Sequence, residues 1–286
     1  MRLVTFRADQ EARIGVLRDG EVVEVAGVSD MLALIGAGDD GLGAAKVALE
    51  SREARTHPLE SVELLAPLPR PNGNVIAIGR NYRAHAEESA RAAGRAVDPP
   101  TVFTKAATSV TGPYADIPVD PSITTQVDWE VELGVVIGRA GANIARERAL
   151  DHVFGYVVVN DVSARDIQFG WGGQFFKGKS LDGFCPFGPW IVTCDEVGDP
   201  QSLRLLMRVN GETKQDGNTR DMIYPVDTIL EWVSKGMTLP AGTVIATGTP
   251  DGVGFARTPP EFVRAGDVME AEVEGIGTLR NRVVTT

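Results

Sequence analysis

A chain of 286 residues with 43% apolar side chains and a mean hydropathy near zero is long enough for one large domain or two. Its 28 Lys and Arg against 39 Asp and Glu leave a net charge of −11, which argues against nucleic acid or an anionic membrane as partner but leaves room for a small anionic substrate at a local cation. The two cysteines, Cys185 and Cys194, exclude a disulfide framework or a structural zinc site, and residues 1–9 carry no long apolar stretch, so no signal peptide or membrane span is expected and the location expected is cytoplasmic.

Residues 1–66 read as a small N-terminal α+β domain. Segments 3–6, 12–17 and 21–25 alternate like strands, with Asp19-Gly20 as a hairpin turn, and helix-like stretches follow at 29–35 and 42–51. The proline-punctuated run 66–73 reads as a linker. Beyond it, residues 72–286 form short β-like runs at 75–78, 130–137, 155–160, 189–193, 203–209, 243–247 and 267–273, separated by turn residues. The expected fold is mostly β (α+β), with a sheet rolled around a central site rather than a parallel α/β wrap. Residues 82–96 stand apart: alanine-rich, charged and poor in apolar face, they suggest a weakly packed helix able to act as a mobile cover.

The acidic pair Glu130 and Glu132 lies in an otherwise apolar, β-branched run. On a strand, residues i and i+2 share a face, so both carboxylates converge. Asp161 ends the apolar run 156–160 and offers a third. Such carboxylates in a water-poor place demand a compensating cation, or else they line a solvated face opposite Lys or Arg. Oxygen ligands favour Mg²⁺, Mn²⁺ or Ca²⁺ over zinc. With only three histidines, His57, His85 and His152, a histidine-rich metal site is not expected.

His85 and Glu88 are three apart on the expected helix, where a carboxylate orients an imidazole as a general base or merely forms a solvated pair. Lys179 lies among glycines and aromatics at 176–184 and reads either as a surface residue or as an oxyanion partner. The run 248–254 lacks the GK[ST] ending of a phosphate loop and reads as a turn.

Taken together, Gly79-Arg80-Asn81-Tyr82-x-x-His85, Phe103-Thr104-Lys105, Glu130-Val131-Glu132-Leu133, Asn160-Asp161-Val162-Ser163-Ala164-Arg165-Asp166-x-Gln168, Gly178-Lys179-Ser180 and Thr247-Gly248-Thr249-Pro250 resemble the fumarylacetoacetate hydrolase family, in order, over about residues 75–280. The resemblance implies a rolled mixed β-sheet catalytic domain behind a small N-terminal domain, and a homodimer. It implies Mg²⁺ or Mn²⁺ on Glu130, Glu132 and Asp161, a His85–Glu88 dyad on a lid, and Lys179 facing the substrate with Lys105, Gln168 and Thr249 nearby. The implied substrate is a small anionic 2-oxo acid, chelated through carboxylate and oxo oxygens, beside which an enolate or carbanion forms. The run 172–179 resembles members acting on diketo-deoxy sugar acids, but Asp182-Gly183 replaces their aspartate-threonine pair. Because the dyad offers a base for water, the expected activity is C–C hydrolysis of an acylpyruvate-type β-diketo acid. The alternatives are isomerisation of 2-hydroxy-dienedioates, oxaloacetate decarboxylation, and a catalytically silent metal-binding or assembly protein.

Overall fold

The computed structural model describes residues 1–94, 100–170 and 174–286. It is mostly β, with two mixed sheets and few helices. The larger, 12-stranded sheet runs in the order Thr56–Pro58, Glu21–Glu24, Glu11–Arg18, Arg2–Ala8, Cys185–Thr193, Val153–Asn160, Val131–Ile137, Val244–Ala246, Val75–Gly79 and Thr101–Lys105, with two short strands pairing off this path. Neighbours along this path are antiparallel except Val244–Ala246 and Val75–Gly79, which run parallel. A five-stranded sheet, Glu212–Asn218, Arg204–Val209, Val268–Val273, Gly277–Thr285 and Ile117–Val119, packs against it.

The central strands are buried on both faces, which explains their near-continuous apolar sequence. Val131, Leu133, Val135 and Ile137 point into the core shared with Leu205, Met207, Met269 and Leu279 of the second sheet. Val136, Val157 and Val159 point the other way, onto Leu34 and Ile35 of the helix Met31–Gly36 and Ala45 of the helix Asp39–Glu50. The N-terminal strands thus continue the same sheet, with Leu3 opposite Ile191. The run 66–73, expected as a linker, instead buries Ala66 and Leu68 in this second core. No helix of the described residues is long and apolar enough to cross a membrane.

Close strand packing at Gly155 carries a testable cost. A Cβ there would lie 2.3 Å from the Val192 carbonyl oxygen and 2.8 Å from Ile191 Cγ2, backbone and branched side chain that have no slack. Gly155→Ala should destabilise by about 1–3 kcal/mol, read as a lowered Tm in thermal denaturation. An unchanged Tm would show that the strands part freely.

Candidate active site and metal centre

The site forms where four strand ends meet. Val131–Ile137 begins there, Val153–Asn160 ends there antiparallel to it, and Val244–Ala246 and Val75–Gly79 end on the other side. Pairing of Val131 with Asn160 therefore brings Asp161 beside Glu130, whose carbonyl accepts the Asp161 N–H at 2.9 Å. Glu130, Glu132 and Asp161 are all buried, and their ligand oxygens lie within 4.8 Å of one another. The alternation expected of a strand is observed, since Glu132 lies on the face opposite Val131 and Leu133.

Three cations answer these acids. Lys179 Nζ donates to Glu130 Oε2 at 2.6 Å and Asp161 Oδ2 at 2.9 Å. Lys105 Nζ donates to Asp161 Oδ1 at 2.5 Å and to the Val162 carbonyl at 3.1 Å. Arg165 donates to Glu130 Oε1 at 2.7 Å and, through Nε, to Asp128 Oδ2 at 2.8 Å. Burial pushes the Glu130 carboxyl up, but Lys179 and Arg165 outweigh it and hold it at about 2. Burial likewise disfavours the Lys179 ammonium, and Asp161 and Glu130 more than offset it.

Glu132 differs. Among the described residues no ion pair is formed by it, and its Oε2 accepts only the Gly248 backbone N–H, at 2.8 Å. Burial, then the Asp161 and Glu130 charges, push its carboxyl well above the ordinary carboxylate range. Asp128, Glu130, Glu132 and Asp161 against Lys105, Arg165 and Lys179 leave one negative charge when all are ionised. A divalent ion on Glu130, Glu132 and Asp161 fits this donor set. It supplies hard-cation partners to three converging oxygens and relieves the carboxylate that the lysines and arginine leave uncompensated. The excess positive charge that results suits an anionic substrate.

A cavity opens above the carboxylates, lined by His85, Gln168, Lys179 and Thr249 and by Phe103, Phe169, Phe175 and Phe255. The helix Arg83–Ala92 covers one side, burying His85, Ala86, Ser89 and Ala90. That small, partly polar face is all the expected cover sequence allows; its residues 95 and 96 lie outside the described residues. His85 is buried rather than a solvated partner, and its Nδ1 lies 3.0 Å from Glu88 Oε1. The Glu88 carboxylate in turn accepts the Gly252 N–H at 3.0 Å from both oxygens.

Most expected residues converge, but not all in the expected place. Thr249 lines the cavity while its hydroxyl donates to the Val131 carbonyl at 2.9 Å, and Gln168 Oε1 accepts from Arg165 at 2.9 Å. Lys105, expected on the substrate, is fully buried behind Asp161 and absent from the cavity lining. Its ammonium serves the carboxylate, because a buried charge without a partner is costly. His57 and His152 are elsewhere, on Glu24 and on the Arg139 carbonyl. Missed by the sequence reading were Arg165, Asp128, Gly252 and the phenylalanine lining. Arg165 stood in the quoted motif without a role, and its position beside two strand-end acids was the available signal.

Residues 74–284 match the family model "Fumarylacetoacetate (FAA) hydrolase C-terminal", and residues 1–67 match "Rv2993c-like, N-terminal". The chain is 48% identical over 227 residues to oxaloacetate tautomerase YisK of Bacillus subtilis, covering 79% of this chain and 75% of that one. It is 41% identical to the mitochondrial oxaloacetate tautomerase fahd2 of Xenopus laevis, over 99% and 90% of the two chains. Among solved structures, maleylpyruvate hydrolase from Sphingobium sp. SYK-6 in complex with manganese(II) and pyruvate is 32% identical, with a TM-score of 0.81 over 100% of this chain and 99% of that one.

Proposed function

The chain belongs to the fumarylacetoacetate hydrolase family, and from that premise we propose that it is a divalent-metal-dependent enzyme interconverting the keto and enol forms of a small 2-oxo dicarboxylic acid of the oxaloacetate type. The observation that carries this reading is the placement of His85. Its Nδ1 lies 3.0 Å from Glu88 Oε1, an acceptor that places a ring proton on that nitrogen, and Nε2, 3.5 Å from Ser89 Oγ, is the nitrogen left to act on a substrate in the cavity that His85 lines beside the carboxylate cluster. Two relatives are named oxaloacetate tautomerases, which supports the same reading.

Glu130, Glu132 and Asp161 would hold Mg²⁺ or Mn²⁺, which when bound supplies a Lewis-acidic anchor for the carboxylate and oxo oxygens of the substrate. His85 Nε2 takes the proton from C3, the C–H electron pair becomes the C2–C3 double bond, and the carbonyl electrons move to the oxygen. Lys179 neutralises charge on that oxygen, and a proton returning to it completes the enol. Gln168 and Thr249 bound the substrate, and the phenylalanine lining excludes water. No bond between carbons need break.

A second reading, C–C hydrolysis of an acylpyruvate, draws on the same His85 as base toward water. The aromatic lining, which extends the cavity beyond the carboxylates, favours it, as does the presence of a maleylpyruvate hydrolase among the similar structures. The homodimer and the cytoplasmic location expected from the sequence belong to this proposal.

The deciding experiment follows the ultraviolet absorbance of enol-oxaloacetate with and without Mn²⁺, beside a panel of acylpyruvates and dienedioates. Wild-type protein should speed enol loss without releasing CO₂, and His85→Ala should abolish most of that acceleration. Acylpyruvate cleavage with no effect on the enol would transfer the assignment to the second reading.

A further inference from the structure

Asp128, fully buried at the end of the short strand Val127–Asp128, receives four donors on one carboxylate. Its Oδ1 accepts the N–H groups of Trp129 at 2.8 Å and Gly254 at 2.7 Å. Its Oδ2 accepts Phe255 N–H at 3.0 Å and Arg165 Nε at 2.8 Å. From Arg165 the contacts continue to Glu130, while the guanidinium lies 4.5 Å from the Phe255 ring centroid. In the other direction the same turn presents Gly252 N–H to Glu88, and Glu88 holds His85. Trp129 Nε1 pins the Gly252 carbonyl at 3.2 Å. The turn has little freedom to shift: Gly252 has φ +98°, and a Cβ there would lie 2.2 Å from the Lys214 carbonyl oxygen.

We propose that Asp128 is a positioning residue that ties the His85–Glu88 pair to the carboxylate cluster, fixing Glu130 through Arg165 and Glu88 through the 252–255 turn. The base and the cluster sit on different elements, a cover helix and a strand end, and the chain of contacts through Asp128 joins them. Anchoring both to one carboxylate keeps Nε2 at a constant distance from the place where substrate carbon must sit, which is what proton transfer requires. Asparagine is nearly isosteric but carries one acceptor oxygen. Its NH₂ must face either the Trp129 and Gly254 N–H groups or Phe255 N–H and Arg165, donor against donor, so one side of the tie is lost.

The kinetic arm rests on the tautomerase reading; a spectroscopic arm does not. In Mn²⁺-loaded full-length protein, Asp128→Asn should lower kcat for enol–keto exchange about tenfold or more with KM changed about twofold at most. The double variant Asp128→Asn/Glu88→Gln should be slower than Glu88→Gln alone by less than the factor that Asp128→Asn costs in the wild-type background, since the two changes share the contacts through the 252–255 turn. In metal-free protein, ¹⁵N resonances of His85 (one of three histidines, and so assignable by substitution) should lose the Nδ1-protonated tautomer in Asp128→Asn. An unchanged His85 tautomer, or losses that multiply in the double variant, would overturn the proposal. Wild-type protein inactive toward enol-oxaloacetate would sink the tautomerase reading while the tautomer measurement still decides this one. Should Asp128→Asn not fold, Trp129→Phe removes only the indole N–H from the Gly252 carbonyl. The same shift of tautomer is expected there, and its absence overturns the proposal equally.

Discussion

Lys179→Met should lower kcat by about 10²–10³ while leaving Mn²⁺ affinity undiminished above neutral pH. The ammonium lines the cavity and lies 2.6 Å from Glu130 Oε2 and 2.9 Å from Asp161 Oδ2, so it is both a counter-ion to the cluster and a cation facing the substrate space. Those two roles predict different things. As a counter-ion it competes with a divalent ion for the same oxygens, and removing it leaves more negative charge for the metal. As an oxyanion partner it counts for more when the substrate carries enolate charge than before, so its loss falls on kcat rather than KM. The metal-free variant should be less stable, because two buried carboxylates lose a partner. Steady-state kinetics and calorimetric Mn²⁺ titration separate the roles. Near-native kcat would reduce Lys179 to a counter-ion, and lost Mn²⁺ affinity would mean that it acts by holding the ligands in place.

Glu132→Gln should abolish Mn²⁺ binding and activity, yet make the metal-free protein more stable than wild type at neutral pH. The amide keeps the shape and a carbonyl acceptor for the Gly248 N–H but removes the charge that burial, Asp161 and Glu130 oppose. The sign follows from proton linkage. The folded carboxyl has a raised pKa, so between the unfolded and folded values the native state holds a proton that the unfolded chain has lost. Its contribution is therefore fully present below the ordinary Glu value and lost as pH rises through the raised one. Glu130 acts oppositely: held at about 2, it contributes above the ordinary value and fades as pH falls. Metal-free wild type should then lose stability on going from weakly acidic to neutral pH relative to Glu132→Gln, measured by chemical denaturation across that range. Excess Mn²⁺ should reverse the order, since only wild type gains from binding. Equal pH slopes in the two metal-free proteins would show Glu132 to be ordinarily ionised.

The carboxylate site was legible because its geometry is local. Glu132 lies in the strand Val131–Ile137 and Glu130, where the expected run starts, lies immediately before it. The two-residue spacing of a pleat still brings them together, and an acid closing an apolar run, as Asp161 does, sits at a strand end by position alone. The antiparallel register of Val131 with Asn160 then brings the ends together. The short strands were readable for the same reason, with limits shifted by a few residues where pairing outran composition, as at Cys185–Thr193. What tertiary structure alone decided is which cation answers which acid. Lys105 is placed near the substrate by the family resemblance, and only packing seals it behind Asp161, 56 positions away. Asp128 carries no sequence signal of its role, because Gly254 and Phe255 come to it from 126 and 127 positions on. The Gly252 catch on Glu88 spans 164 positions. Side-chain periodicity is set by backbone geometry within a few residues. Charge pairing is set by which loops the sheet brings to one edge, and no local pattern carries that information.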